Sequence, residues 1–158
     1  MNPQIVINAS PLIAFARMGA LNIIGQLPFD FICPQQVRDE LDEGAAQGYV
    51  AITPAWLRVI PLSSPISPLI LASLDSGEAA VIQLALEQTI ARVCLDELKG
   101  RRAASAAGLQ VIGSLGMIIR AKALGLISEA RPLIEKAMRE GIFYHPNLAQ
   151  QVLNALGE

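Results

Sequence analysis

Charge is scarce in this chain. Asp, Glu, Lys and Arg make up 16% of its 158 residues, against about 25% in ordinary soluble domains, while apolar residues reach 53%. Such a surplus fits either a membrane span or apolar surface reserved for a partner. A span needs roughly 20 uninterrupted apolar residues. The most apolar stretches, residues 79–86 and 111–127, are too short or are broken by Arg120 and Lys122. Met1-Asn2-Pro3-Gln4 places no basic region ahead of a long apolar run, so no secretory signal is expected there. The expectation is a soluble, cytoplasmic and oligomeric protein with no membrane attachment.

Soft metal ligands are almost missing. There are two cysteines and one histidine, with no Cys-x-x-Cys or Cys/His spacing, which excludes a structural zinc site. Cys33 and Cys94 each end an apolar, strand-like run and read as buried thiols of an intracellular chain. His145, ahead of Pro146, has no nucleophile-elbow motif to serve and reads as a surface or loop residue. Excess positive charge is absent too. The net charge is −2, so any phosphate-binding surface must be local. Its best candidates are Lys99, Arg101 and Arg102, with Arg120 and Lys122 further on, although a solvated helix face explains any one of them equally well.

What the chain does have is alternation. Residues 4–7 form a short apolar run that ends at Asn8-Ala9-Ser10-Pro11, the pattern of a buried strand turning into a helix. Ser10 is expected to cap that helix, Pro11 to open it and Gly19 to close it. A short helix is expected over 21–27, a strand over 29–33, and a helix over 35–46 with Val37 and Leu41 on its inner face. A weaker strand pattern covers 56–62, and the Ser/Pro-rich residues 63–68 read as a loop. Asp75-Ser76-Gly77-Glu78 opens the strongest helix, apolar almost all round to Gln88. Strands at 91–95 and 109–112 follow, interleaved with helices at 99–107 and from Ser114 to about Leu124, and two more helices over 128–140 and 147–156 complete the chain. Strands alternating with helices predict an α/β fold, a three-layer α/β/α sandwich with a central parallel sheet. No repeat or linker divides it, so one domain over 1–158 is expected.

The oxygen-bearing residues fall at element ends. Asn8 follows the first strand, Glu40 lies on an early helix, Glu78 opens the buried helix, and Asp96-Glu97 follow a buried strand. Sites in open parallel sheets form beyond the carboxyl ends of the strands. Carboxylates and an amide meeting there suit hard ions such as Mg²⁺ or Mn²⁺. Each residue alone has a plainer explanation: a Glu opening a helix complements its dipole, and Glu40 belongs to an acidic, solvated run. The constellation says more than its parts.

These residues also carry a resemblance. Ile5-Val6-Ile7-Asn8-Ala9-Ser10-Pro11 resembles the opening strand of PIN-domain nucleases, where Asp stands in place of Asn8. Val37-Arg38-Asp39-Glu40-Leu41 resembles the second block, and Ser76-Gly77-Glu78-Ala79-Ala80 the third block of a nucleic-acid-binding subfamily. The stretch from Leu95-Asp96-Glu97 through Arg101-Arg102 is similar to its fourth block, a double Asp before an Arg-rich helix, and Gly113-Ser114-Leu115-Gly116 to the next helix start. The resemblance implies a PIN-like fold and a Mg²⁺- or Mn²⁺-dependent ribonuclease, similar to the toxin of a toxin–antitoxin pair. An antitoxin protein and a second copy of the chain are the implied protein partners. The metal ligands would come from Asn8, Glu40, Glu78, Asp96 and Glu97, catalysis from the four acids among them, and RNA contacts from Ser10, Lys99, Arg101 and Arg102. Two departures stand out: Asn8 is neutral, and Glu97 replaces the second Asp. The alternative is a catalytically weakened PIN-like module that binds nucleic acid or regulates. A haloacid-dehalogenase-type phosphatase fits poorly, because Asn8-Ala9-Ser10 offers no carboxylate nucleophile.

Overall fold

In a computed structural model covering residues 1–158, five short strands form one parallel sheet between helices, a three-layer α/β/α arrangement. The strands are β1 (Gln4–Ile7), β2 (Asp30–Cys33), β3 (Leu57–Val59), β4 (Arg92–Cys94) and β5 (Gln110–Ile112). Their spatial order is β3-β2-β1-β4-β5, and every neighbouring pair runs parallel. The chain steps from β1 outward to β2 and β3, then returns to the other side of β1 for β4 and β5. Strand order therefore reverses between β1 and β4, the place where open α/β sheets leave a crevice at their carboxyl ends.

The central strands are apolar because both of their faces are covered. Ile5, Val6, Ile7, Phe31, Ile32, Val93 and Cys94 are all buried in a single core cluster. Helix α5 (Ser76–Glu87) lies directly on β1 and β4 and also touches α3 (Gln35–Ala46) and α6 (Leu98–Ala106). Helices α1 (Ala9–Met18), α2 (Leu21–Ile24), α7 (Ser114–Ala123) and α8 (Arg131–Arg139) pack among themselves. The short α4 (Pro68–Leu71) rests on α5, and α9 (Pro146–Ala155) ends the fold.

Local chemistry places most of the boundaries. Gly19 takes φ +70 and its N–H bonds to Ala16 O, closing α1 in the left-handed conformation that glycine adopts without strain. Val37 and Leu41 face inward from α3 as their spacing requires. Helix α5 is buried from Gly77 to Val81 and beyond, and only Leu86 among its apolar residues is exposed. The apolar run of α5 is thus spent on the chain's own core; exposed apolar side chains include Leu69, Ile70 and Leu71 of α4, with Tyr49, Val50 and Phe143 elsewhere.

Three boundary expectations fail for identifiable reasons. Helix α1 starts at Ala9, so Asn8, not Ser10, occupies the cap position, and Pro11 sits inside the first turn, where its missing N–H costs nothing. Ser114 is the first helical residue of α7 rather than its cap, which is Gly113; its hydroxyl instead meets Tyr144 Oη at 2.6 Å. Pro68 opens α4, a helical turn that the Ser/Pro composition around it concealed. Cys33 and Cys94 are free and buried. Burial pushes the Cys33 thiol up to about 11 and that of Cys94 well above its usual range, so both stay protonated and apolar. His145 is exposed, and its Nδ1 accepts from Asn147 N at the start of α9.

Candidate metal centre at the switch point

Asn8 leaves β1 at the reversal of strand order, where its N–H donates to Cys94 O of β4 at 3.1 Å. That bond holds its backbone extended (φ −84, ψ 166), and its side chain makes no capping bond to α1. The amide is 4% exposed, and Oδ1 has no hydrogen-bond partner. A buried acceptor without a donor is costly, so its orientation is informative. Oδ1 points towards the first turn of α5, where a methyl on Gly77 would lie 3.1 Å from it, 3.2 Å from Glu40 Oε1 and 3.4 Å from Asp75 Oδ1. The missing side chain at Gly77 is what allows three oxygens from α3, α5 and the β1 end to approach one another.

Asp75 caps α5, accepting from Glu78 N at 2.8 Å. Glu78, on the same first turn, is 3% exposed, and its Oε1 has no donor aimed at it. Helix α6 leans over it without a side chain at Gly100, where a methyl would meet Glu78 Cδ at 3.3 Å. The group in reach of Glu78 is another carboxylate, Glu97. Oxygens of Asp75, Glu78 and Glu97 all lie within 4.8 Å of one another. Burial raises Glu78 to about 7, reinforced by the shared proton with Glu97 and by the charge of Asp75. Glu40 is raised too, first by loss of water and then by Asp75 and Glu97. No cation of the protein relieves this crowding.

Asp96 and Glu97 are adjacent but serve different neighbours. Glu97 joins the cluster, whereas Asp96 Oδ1 accepts from Ser114 N at 2.7 Å, an anion at the positive end of α7. Burial raises the Asp96 carboxyl, while the Ser114 N–H and Arg101 pull it back. Arg101 Nη1 donates to Leu95 O at 2.9 Å, so its guanidinium ties the β4–α6 turn together. Of the other expected phosphate contacts, Lys99 and Arg102 stand exposed on α6 and Ser10 is half-buried in α1. Arg120 instead lies over the Phe29 ring at 5.6 Å, and Lys122 pairs with Glu158.

The structure thus brings Asn8, Glu40, Glu78 and Glu97 to one edge and turns Asp96 towards α7. Asp75 is not among the expected ligands. Its signal in the sequence is an Asp three residues before Glu78, a spacing that fits a helix cap equally well. The donor set is all oxygen, partly buried and strongly negative, which is the chemistry of a hard divalent cation. Glu40 also borders an open cleft of about 750 Å³ that continues along α1 and α3 past Tyr49, Val50 and Ile52 to Lys136 of α8.

A parallel sheet in this strand order, with acids gathered at its switch point, makes this an open α/β domain with a candidate metal centre. The family model for the PIN domain matches residues 4–158, and the chain belongs to that family. No curated protein sequence matches it. No helix is long and apolar enough to cross a membrane.

Proposed function

We propose that this protein is a divalent-metal-dependent endoribonuclease that acts as the toxin of a toxin–antitoxin pair. The observation that carries the reading is the pair of buried, unpartnered oxygens, Asn8 Oδ1 and Glu78 Oε1, within a cluster of carboxylates. Asn8, Glu40, Glu78 and Glu97 hold Mg²⁺ or Mn²⁺. When bound, such an ion activates water for in-line attack on phosphorus and stabilises the leaving oxygen.

The chain's own residues do the rest. Glu78 and Glu97, whose carboxyl groups hydrogen-bond to each other, would offer general-base oxygens beside a bound ion. Asp96 acts as a catalytic positioning residue: through Ser114 N it fixes the turn that presents Glu97. Lys99 and Arg102 attract the RNA backbone along the exposed face of α6, next to the cluster, and Arg101 keeps that helix start in place. Ser10, two residues after Asn8 and half-buried in α1, is the further RNA contact of this reading. The cleft beside Glu40, with Tyr49 and Val50 exposed on it, supports docking of an antitoxin protein there. The exposed α4 residues support a homodimer, and the absence of any spanning helix fits a cytoplasmic protein.

Asn8 favours a second reading, a weakened PIN-like module that binds RNA without turning it over. RNA cleavage with Mn²⁺ or Mg²⁺ separates the two. The nuclease reading expects cleavage by the natural chain and none by Glu78→Gln. RNA binding with no cleavage in either protein is the outcome that leaves only the binding module.

A further inference from the structure

A cap needs one acceptor oxygen, and Ser or Asn supplies it as well as Asp does. Asp75 uses Oδ1 for that purpose, accepting from Glu78 N at 2.8 Å. Capping leaves unexplained why a full negative charge stands there, against Glu78 and Glu97, with carboxylate oxygens of all three within 4.8 Å. Like charges this close repel, so in the absence of a cation Asp75 works against its neighbours. An independent observation points to what offsets that cost. Asn8 is 4% exposed, its Oδ1 is unpartnered, and it is directed at the same spot over Gly77 as Asp75 Oδ1 and Glu40 Oε1. An amide oxygen there can ligate a cation but brings no charge.

We infer that Asp75 supplies the carboxylate that position 8 lacks, so that a divalent cation is held by Asp75 together with Glu40, Glu78 and Glu97, with the Asn8 amide oxygen as a neutral ligand. The inference rests on the metal-centre reading above and deepens it. Oδ1 of Asp75 caps α5 and also borders the gap over Gly77, so helix start and metal site are built by a single side chain. The negative charge that Asp would place on the β1 end sits instead on the first residue before α5. Both positions border the same gap over Gly77, so the formal charge of the site is conserved while its location moves.

The test is Mn²⁺ binding to the full chain, followed by calorimetry and by the spin resonance of free Mn²⁺, for the natural protein, Asp75→Asn, Glu78→Gln, Asn8→Asp and the Asn8→Asp/Asp75→Asn pair. Asparagine keeps the cap, so the melting temperature of metal-free Asp75→Asn should not fall. Its Mn²⁺ affinity should fall at least about tenfold, a loss that even outer partners of a metal can cause. The double variant should return to within about threefold of the natural chain, because one carboxylate has been exchanged for the other across the same gap. Unchanged affinity in Asp75→Asn, beside a loss in Glu78→Gln, would reduce Asp75 to a cap and leave the metal centre standing. A double variant that stays as weak as Asp75→Asn would overturn the exchange. No Mn²⁺ binding by the natural chain or by Asn8→Asp would remove the metal centre itself, and the inference with it.

Discussion

Glu78 and Glu158 are both carboxylates drawn out of water, and the chain surrounds them in opposite ways. Glu158 Oε2 meets Lys122 Nζ at 2.7 Å and Ala130 N at 2.9 Å, and Oε1 accepts from Arg131 N at 2.9 Å. The Lys122 bond and then the Ala130 N–H hold its carboxyl down at about 2. Glu78 is more deeply buried, yet its Oε1 has no donor, and its neighbours are Glu97 and Asp75. Folding stabilises the charge on one and opposes the charge on the other. A carboxylate of the first kind is part of the scaffold. One of the second kind persists where something else supplies the positive charge.

Replacing the scaffold carboxylate should have the largest effect on stability. Glu158→Ala removes a partly buried ion pair and strands two N–H groups at the start of α8, a loss of about 3 kcal/mol, readable from urea unfolding. The pH dependence should separate the two carboxylates next. Glu78 sits at about 7 in the folded, metal-free protein, above the 4.5 of a free glutamate. Its contribution is therefore fully present below about 4.5 and is lost as pH rises through 7, a decline on the order of 2 kcal/mol. Glu78→Gln should flatten that decline and make the metal-free protein more stable at pH 8. Glu158 runs the other way: its contribution is present above about 4.5 and is lost as pH falls towards 2. Unfolding curves from pH 3 to pH 8 on both variants check the signs.

Asn8→Asp should act on a smaller scale. Without metal, one more carboxylate in the cluster should cost about 1 kcal/mol; with Mn²⁺, affinity should rise and RNA cleavage should begin or increase. Equal Mn²⁺ affinity in calorimetry would mean that Asn8 is not a ligand. The smallest effect belongs to the exposed face of α6. Lys99→Ala with Arg102→Ala should weaken RNA binding without changing metal affinity, and should lower the slope of log affinity against log salt by roughly 1 to 2. An unchanged slope would place the RNA elsewhere.

Much of the fold was legible because β1 and β2 are apolar runs that end at Asn8 and Pro34, and because helix spacing at Val37 and Leu41 can only face inward. Topology alone puts Asn8 at the switch point, because it stands at the carboxyl end of β1, whereas Glu40 and Glu78 reach that edge from helices α3 and α5. Side-chain direction was not legible. Asp96 and Glu97 are consecutive, and the choice between them depends on the N-terminus of α7, which reaches Asp96 from eighteen residues downstream. Ser10 and Ser114 have the right type for caps, but backbone pairing of Asn8 to Cys94 and the contact of Ser114 with Tyr144 decide otherwise. Asp75 has the residue type and spacing of a helix cap, so its sequence carries no separate signal of a ligand.

The contrast between a satisfied and an unsatisfied carboxylate is tested most directly by thermal unfolding with and without Mn²⁺ at pH 7.5. A cation that binds only the folded chain raises its melting temperature by an amount that grows with the logarithm of its excess over Kd. The account predicts a rise for the natural protein, the same rise from a lower starting point for Glu158→Ala, and none for Glu78→Gln. No rise in the natural protein, or an equal rise in Glu78→Gln, would contradict it.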